Sequence, residues 1–312
     1  MVEMHRILVP TDFSETADLA TRHAVLFAEL FDAEITLFHA RTIFRDNPAD
    51  LEADLQQVQS DMKERSRELI QSGASHLRIQ TEVVRDVSAS AAILTFLAGN
   101  KFDLVAMGSH GRSGLAHFML GSVVEEVIRG APCPVLSIRP GGAREKVDPA
   151  YRNILVGFDF SDHSRAAVEY AARIAHRMGA KIEVLYVFEQ QIHPAYYPVW
   201  DDMAAKILPE IQEDARQTLT RIFEKVGFGN WELRVSHARW RAAREIAAYA
   251  EERKADLIIL GTHGFSGLDH FLLGSTSERV VRMAPCPVIT TRLGAQKSGV
   301  SPEAGAAMTE PL

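Results

Sequence analysis

Two glycine-rich segments hold the residues of this chain best suited to chemistry. In the first, Gly108 and Gly111 are followed, after nine residues, by Gly121 and Ser122. In the second, Gly261 and Gly264 precede Gly274 and Ser275 at the same spacing. The chemistry of such an arrangement is anion binding. Glycine lets the backbone approach a phosphate closely and reach φ > 0. Its N–H groups can point inward as a nest. A helix starting at Gly121-Ser122 or Gly274-Ser275, with Val123 or Thr276 next in its first turn, turns free N–H groups and a positive dipole end toward the same charge. The serine hydroxyl would donate to a phosphate oxygen or cap the helix. Spaced glycines also make turns and helix C-caps, so a single such pattern is weak evidence.

Other candidates lie close by. Arg112 in the first loop could pair with a phosphate, whereas the matching residue in the second is Phe265. His110 and His117 recur as His263 and His270. No carboxylate or cysteine stands at matching spacing as a third ligand, so no metal site is assigned. His110 and His263 could still sit beside a bound ligand. Asp12 and Asp159 each follow a short apolar run and precede a helical pattern; they read as ligand contacts or as helix-terminus residues. Cys133 and Cys286 lie in identical APCPV segments without a CxxC, which fits a small buried residue entering a strand better than a redox centre. G-x4-G-K-[ST], a G-x-S-x-G elbow and HExxH are all absent, which excludes a P-loop NTPase, a nucleophile-elbow hydrolase and a zincin. No residue is assigned a catalytic role.

The elements that must position these residues come in two sets. Residues 108–136 and 261–289 are identical at 19 of 29 positions without a gap, at an offset of 153. RILVPTDFS at 6–14 matches NILVGFDFS at 153–161 at an offset of 147. The chain is therefore one unit used twice, with a six-residue indel between the landmarks. The expected domains are 1–139 and 151–293, joined by a Pro/Gly-rich, charged linker at 140–150. A disordered tail of small residues and proline is expected at 294–312. In the first unit, strands are predicted at 6–10, 35–40, 79–85, 104–108 and from Pro134, with helices from Ser14, over 49–71, over 88–99 and from about 121. The second unit predicts strands at 153–157, 181–187, 232–236, 256–261 and 287–292, with helices at 162–178, about 203–226, 241–253 and after the loop. Alternating strands and helices imply a parallel sheet covered on both faces, an α/β fold. Ligands bind such sheets at the carboxyl ends of the strands, here after Pro10, Ala40 and Gly108 and after Gly157, Val187 and Gly261.

Composition narrows the partners. The chain has 312 residues and a net charge of -7, which speaks against nucleic acid. No apolar run reaches the roughly 20 residues of a membrane helix, and the N-terminus is unlike a signal peptide. A cytoplasmic place is expected.

With both landmarks in hand, the sequence resembles the universal stress protein family in its tandem form. The motif G-x2-G-x9-G-[ST] matches the family's ATP-binding signature in both halves, and PTDFS and GFDFS match its first strand-to-helix turn. The resemblance implies two Rossmann-like domains of the adenine nucleotide alpha hydrolase-like type, each with a five-stranded parallel sheet. It also implies that they pair along their last strands as an intramolecular pseudo-dimer. It implies a site for an adenine nucleotide, ATP with or without Mg2+. There Asp12 and Asp159, with Pro10 and Thr11 beside the first, lie at the adenosine end, and main-chain groups of Ala40 and Val187 help hold adenine. Matching by motif distance puts Val87 and Trp240 where many nucleotide-binding members carry a pocket-lining glycine. With Phe158 in place of Thr11, the first site is the better equipped for a triphosphate. The function implied is that of a stress-response sensor or regulator with absent or slow hydrolysis, an unknown protein partner and room for a homodimer beyond the internal pair. The alternatives are an interaction scaffold with degenerate nucleotide sites, above all in the second domain, and a weak ATPase.

Overall fold

The computed structural model describes residues 4–42, 48–74, 76–109, 120–140, 151–189, 197–238, 241–262 and 274–292. The first half runs β1 (Arg6–Pro10), α1 (Glu15–Phe31), β2 (Glu34–Thr42), α2 (Pro48–Leu69), β3 (Ile79–Asp86), α3 (Ala89–Gly99), β4 (Leu104–Gly108), α4 (Ser122–Gly130) and β5 (Val135–Ile138). The second half repeats the order with β6 (Asn153–Phe158), α5 (Asp162–Met178), β7 (Lys181–Glu189), α6 (Tyr197–Val226), β8 (Trp231–Ala238), α7 (Ala242–Glu252), β9 (Leu257–Gly261), α8 (Ser275–Met283) and β10 (Val288–Thr291). These are two Rossmann-like halves. The predicted linker beyond Pro140 and the predicted tail lie outside the described residues.

The central strands are short apolar runs because both of their faces are buried. In β1, Ile7 and Val9 join one hydrophobic core while Leu8 joins the other. In β9, Leu257 and Ile259 go one way and Ile258 and Leu260 the other. The first core lies under α1, α2, α5 and α6, the second under α3, α4, α7 and α8. Helix ends follow local chemistry. Ser14 caps α1 by accepting from the Ala17 N–H at 3.2 Å, and Ser161 caps α5 from the Ser164 N–H at 3.1 Å. The C-terminal caps Asp32 and Gly179, which correspond in the repeat, adopt the left-handed conformation at φ 56° and 64°.

The strands form one ten-stranded sheet in the order β3-β2-β1-β4-β5-β10-β9-β6-β7-β8. Every described pairing is parallel except β5 with β10, which is antiparallel. Leu136 opposes Ile289 there, its own counterpart in the repeat. A pseudo-twofold axis therefore passes through the seam. Two arginines cross it: Arg139 donates to the Ala284 carbonyl at 3.3 Å and Arg292 to the Arg129 carbonyl at 2.8 Å.

A carboxylate just ahead of β4 and of β9 ties down the start of each half, and the one in the second half, Asp256, is buried. Asp256 accepts the N–H groups of Arg152 and Asn153 at 2.6 and 2.8 Å, tying β6 to β9. Asp103 does the same for His5 and Arg6 at 2.7 and 3.0 Å. Among the described residues, no helix is long and apolar enough to cross a membrane.

Candidate functional site

Both candidate sites lie where β1 and β4, or β6 and β9, deliver their carboxyl ends. The turn from β1 into α1 is braced by its own polar groups. The Thr11 N–H donates to the Phe38 carbonyl at 2.8 Å, the Phe13 N–H to Thr11 Oγ1 at 3.1 Å and the Ser14 N–H to Asp12 Oδ1 at 3.1 Å. These bonds hold Phe13 at φ 64°, a conformation costly for an aromatic residue. Phe160 repeats it at φ 64°, and Asp159 Oδ1 accepts the Ser161 N–H at 3.0 Å. Thus both aspartates close a turn just ahead of the helix, while the N-cap itself is the serine two residues on.

The wall beside this turn comes from β2. His39 Nδ1 donates to the Thr11 carbonyl at 2.8 Å. A carbonyl only accepts, so that bond requires the hydrogen on Nδ1. Tyr186 takes the matching place in the second half; burial, with the Asp159 charge adding to it, pushes its phenol up from the usual range.

The phosphate side of each site is built from the loop ends and the following helix. Ser109 donates to the Ile138 carbonyl at 2.7 Å and accepts the Gly121 N–H at 2.9 Å. Thr262 likewise donates to Thr291 at 2.8 Å and accepts from Gly274 at 2.7 Å. These bonds pin both ends of each glycine-rich loop. Gly121 and Gly274 are the N-caps of α4 and α8, and neither helix carries a side-chain cap. The first intrahelical donor is Glu125 in one and Glu278 in the other, which leaves the N–H groups of the three preceding residues for a ligand or solvent.

The glycines act differently from the expectation. Gly121 and Gly274 have φ of -63° and -57°, and the positive-φ glycines among the described residues are Gly179 and Gly227. At Gly108, a β-carbon would lie 2.9 Å from the Thr16 carbonyl carbon, and at Gly261 2.8 Å from that of His163. Glycine is required there because α1 and α5 press their backbones onto β4 and β9. Ser122 and Ser275 open their helices rather than cap them.

These elements enclose two cavities. The first, of about 240 Å3, is lined by the expected Pro10, Thr11, Asp12, Ala40, Gly108, Gly121, Ser122 and Val123. Ala17, Phe38, His39, Ala89, Ile93, Met107 and Val124 complete it. The second, of about 140 Å3, brings together the expected Asp159, Val187, Gly261, Gly274, Ser275 and Thr276 with Gly157, Phe158, Ser164, Leu185, Ala242, Ile246, Leu260 and Ser277. Every lining residue of the second has its repeat partner in the first, while Tyr186, the counterpart of His39, is not among the lining residues of the second. Ala40 and Val187 lie within β2 and β7, which run two residues beyond them. The expected wall residue Val87 is displaced: it stands 74% exposed, and Ala89 and Ile93 supply that wall. Motif distance fails there because Ser88 starts α3 immediately after the turn. The apolar partners were legible only as strand and helix residues. His110, Gly111, Arg112, His117, Trp240, His263, Gly264, Phe265 and His270 lie outside the described residues.

Cys133 and Cys286 are buried thiols. Burial, reinforced by the nearby Asp103 charge, pushes the Cys133 thiol up to about 12. Among the described residues, no cluster of His, Cys, Asp and Glu could hold a metal ion.

Known proteins match this chain along most of its length. The model of the universal stress protein family matches twice, at residues 3–139 and 150–292. A universal stress protein of Mycolicibacterium smegmatis is 28% identical over 301 residues, spanning 92% of this chain and 96% of that one. One from Mycobacterium tuberculosis is 32% identical over 200 residues, 62% of this chain and 63% of its own. Among solved structures, a universal stress protein from Archaeoglobus fulgidus shares the fold with a TM-score of 0.66 at 24% identity, covering 92% of this chain and 98% of that one.

Proposed function

The chain belongs to the universal stress protein family, and on that premise we propose that its first cavity binds an adenine nucleotide, ATP with or without Mg2+, and that the bound state makes it a sensor or regulator in the stress response. The observation that carries this reading is the first cavity itself, which joins an apolar slot to a phosphate cradle. Phe38, Ala40, Ala89, Ile93 and Met107 form walls suited to the faces of a purine. The uncapped first turn of α4 supplies N–H donors and the helix dipole for phosphates. Asp12 lines the cavity, and in this reading it accepts from a ribose hydroxyl. A Mg2+ ion would arrive with the phosphates and keep most of its waters. The residues present thus fit the nucleotide, and their roles are to bind and orient it.

The same reading takes 1–139 and 151–293 as the two domains around the 140–150 linker, places the chain in the cytoplasm and leaves the readout to a partner protein. Calorimetric titration of nucleotide-free protein with Mg·ATP tests it. Binding is expected, and Gly121→Val/Ser122→Ala should abolish it. A ligand that binds only the folded state stabilises it, by about 2.7 kcal/mol at a hundredfold excess over Kd, so wild-type melting should rise with ATP. No heat and no thermal shift at millimolar ATP would overturn the reading.

A further inference from the structure

The antiparallel seam puts the end of each half's last strand beside the start of the other's. Ser137 faces Val288 and Val135 faces Thr290, so β10 runs out where α4 hands over to β5, and β5 runs out where α8 hands over to β10. Arg292, the residue after β10, therefore lies against the C-terminal end of α4, and Arg139, the residue after β5, against that of α8. Arg292 Nη1 donates to the Arg129 carbonyl in the last turn of α4 at 2.8 Å. Arg139 Nη1 donates to the carbonyl of Ala284, the C-cap of α8, at 3.3 Å. The two arginines correspond in the repeat, at an offset of 153.

A second link runs between the helices themselves. Glu125 pairs with Arg129 one turn on at 2.6 Å and reaches across the seam to Arg282 at 3.5 Å, and Arg282 pairs with Glu278 at 2.6 Å. A row of alternating charges thus joins α4 to α8. The last carbonyls of a helix have no partner within it, and a cation placed there also complements its dipole. α4 has nine residues, too few for a helix to be stable without outside support. Its own half packs it on α3 and β5, while two of its polar fastenings, Arg292 and Arg282, come from the second half. The first turn of the same helix lines the first cavity with Ser122, Val123 and Val124. A helix of this length moves as one rod of about 14 Å, so a shift at Arg129 is carried to the N–H groups at the cavity.

We infer that Arg292 and Arg282, in the second half, are positioning residues for the cavity of the first: they hold α4 in trans at the pose its first turn presents to the ligand, as Arg139 holds α8. The inference rests on the nucleotide reading only in naming that ligand. Neither arginine is among the described residues lining the cavity, and both act through α4. A phosphate at one end of α4 and a guanidinium at the other complement the same helix dipole, so each favours the other, and the coupling between seam and cavity is reciprocal. A cradle held in place beforehand also loses less on binding than one the ligand must order.

Backbone hydrogen exchange of the full chain without nucleotide reads the hold. Arg292→Met keeps much of the side chain's length and removes its charge. It should speed exchange about threefold or more at the hydrogen-bonded amides of α4, from Glu125 to Ala131, and leave those of α8, from Glu278 to Ala284, at the wild-type rate. Arg139→Met should do the reverse, loosening α8 and sparing α4. Loosening of the helix in the arginine's own half, of both helices alike, or of neither overturns the proposal; a variant that merely loses global stability loosens both. Calorimetry with Mg·ATP reads the consequence at the cavity. Arg292→Met should weaken binding about 3- to 30-fold, and Arg292→Lys, which returns the cation, should recover most of the loss. Melting curves establish that each variant is folded. Weakening of less than about threefold in Arg292→Met, or no recovery with lysine, overturns the positioning role and leaves the nucleotide reading intact. No ATP binding by the wild type sinks the nucleotide reading alone, and the exchange pattern then decides this one.

Discussion

Adding one methyl group at two glycines should move stability in opposite directions. At Gly108 a β-carbon would meet three atoms of Thr16 at 2.9 Å, including its backbone carbonyl carbon. Carbon atoms rest at about 3.5–4.0 Å, so α1 must retreat from β4 by roughly half an ångström or more. Backbone cannot rotate away as a side-chain tip can. Overpacking of this kind costs about 1–3 kcal/mol. At Gly99, the last residue of α3, nothing lies within 4 Å of the added carbon. There alanine restricts the unfolded chain and strain is absent, which stabilises by about 0.4–1 kcal/mol. For domains of this size each kcal/mol shifts the melting point by about 2–4 °C. Gly108→Ala should therefore melt about 2–12 °C below wild type, and Gly99→Ala about 1–4 °C above it. Gly261→Ala should follow Gly108→Ala, since its β-carbon would meet the His163 backbone at 2.8 Å. Thermal and urea unfolding of the three variants read these shifts. A Gly108→Ala protein as stable as wild type would refute the close helix-on-strand packing and return Gly108 to a purely ligand-side role.

Other outcomes follow from buried groups. Asp256→Ala removes the shared acceptor of two backbone N–H groups at a residue 1% exposed, and should cost about 2–6 kcal/mol in urea unfolding at about 1–3 for each donor that loses its charged acceptor; a loss under 1 kcal/mol would contradict the staple. The Cys133 thiol, raised from 9.0 to about 12, should resist alkylation in the native protein at pH 8, where only about one thiol in ten thousand is ionised, and react once the chain is unfolded. Because its folded value lies above the unfolded one, its contribution to stability is complete below pH 9 and is lost as pH rises toward 12. A Cys133→Ser variant should flatten that part of the stability profile, and an unchanged slope would remove the thiol as its cause.

Much of the molecule is readable along the chain, for a local reason. A strand buried on both faces must be apolar at every position, so RILVP and LIILG announce β1 and β9 without reference to neighbours. Duplication doubles each signal: the same loop, the same turn and the same serine caps appear twice, and chance does not repeat a 29-residue pattern at 19 positions. Ser14, Asp12, Asp159 and the two Gly-Ser pairs could be named because turn and cap chemistry acts over three or four residues.

Register and packing are another matter. The site's walls come from Phe38, His39, Ala89 and Ile93, ordinary strand and helix residues until β2 is laid beside β1 and α3 is packed against β2. Distance counted along the chain pointed to Val87, which faces outward. Glycines that looked as if they served a ligand or a positive φ proved, at Gly108 and Gly261, to make room for another helix's backbone. Paired differences in the two linings, such as Phe158 for Thr11 and Val187 for Ala40, come together only when the strands and helices are laid side by side. What the sequence determined alone is whatever neighbouring residues decide between them: strands, caps, turns and the duplication. What the tertiary structure decided is whatever depends on atoms far apart in the chain meeting in space, namely the antiparallel seam, the walls and the volumes of the two sites.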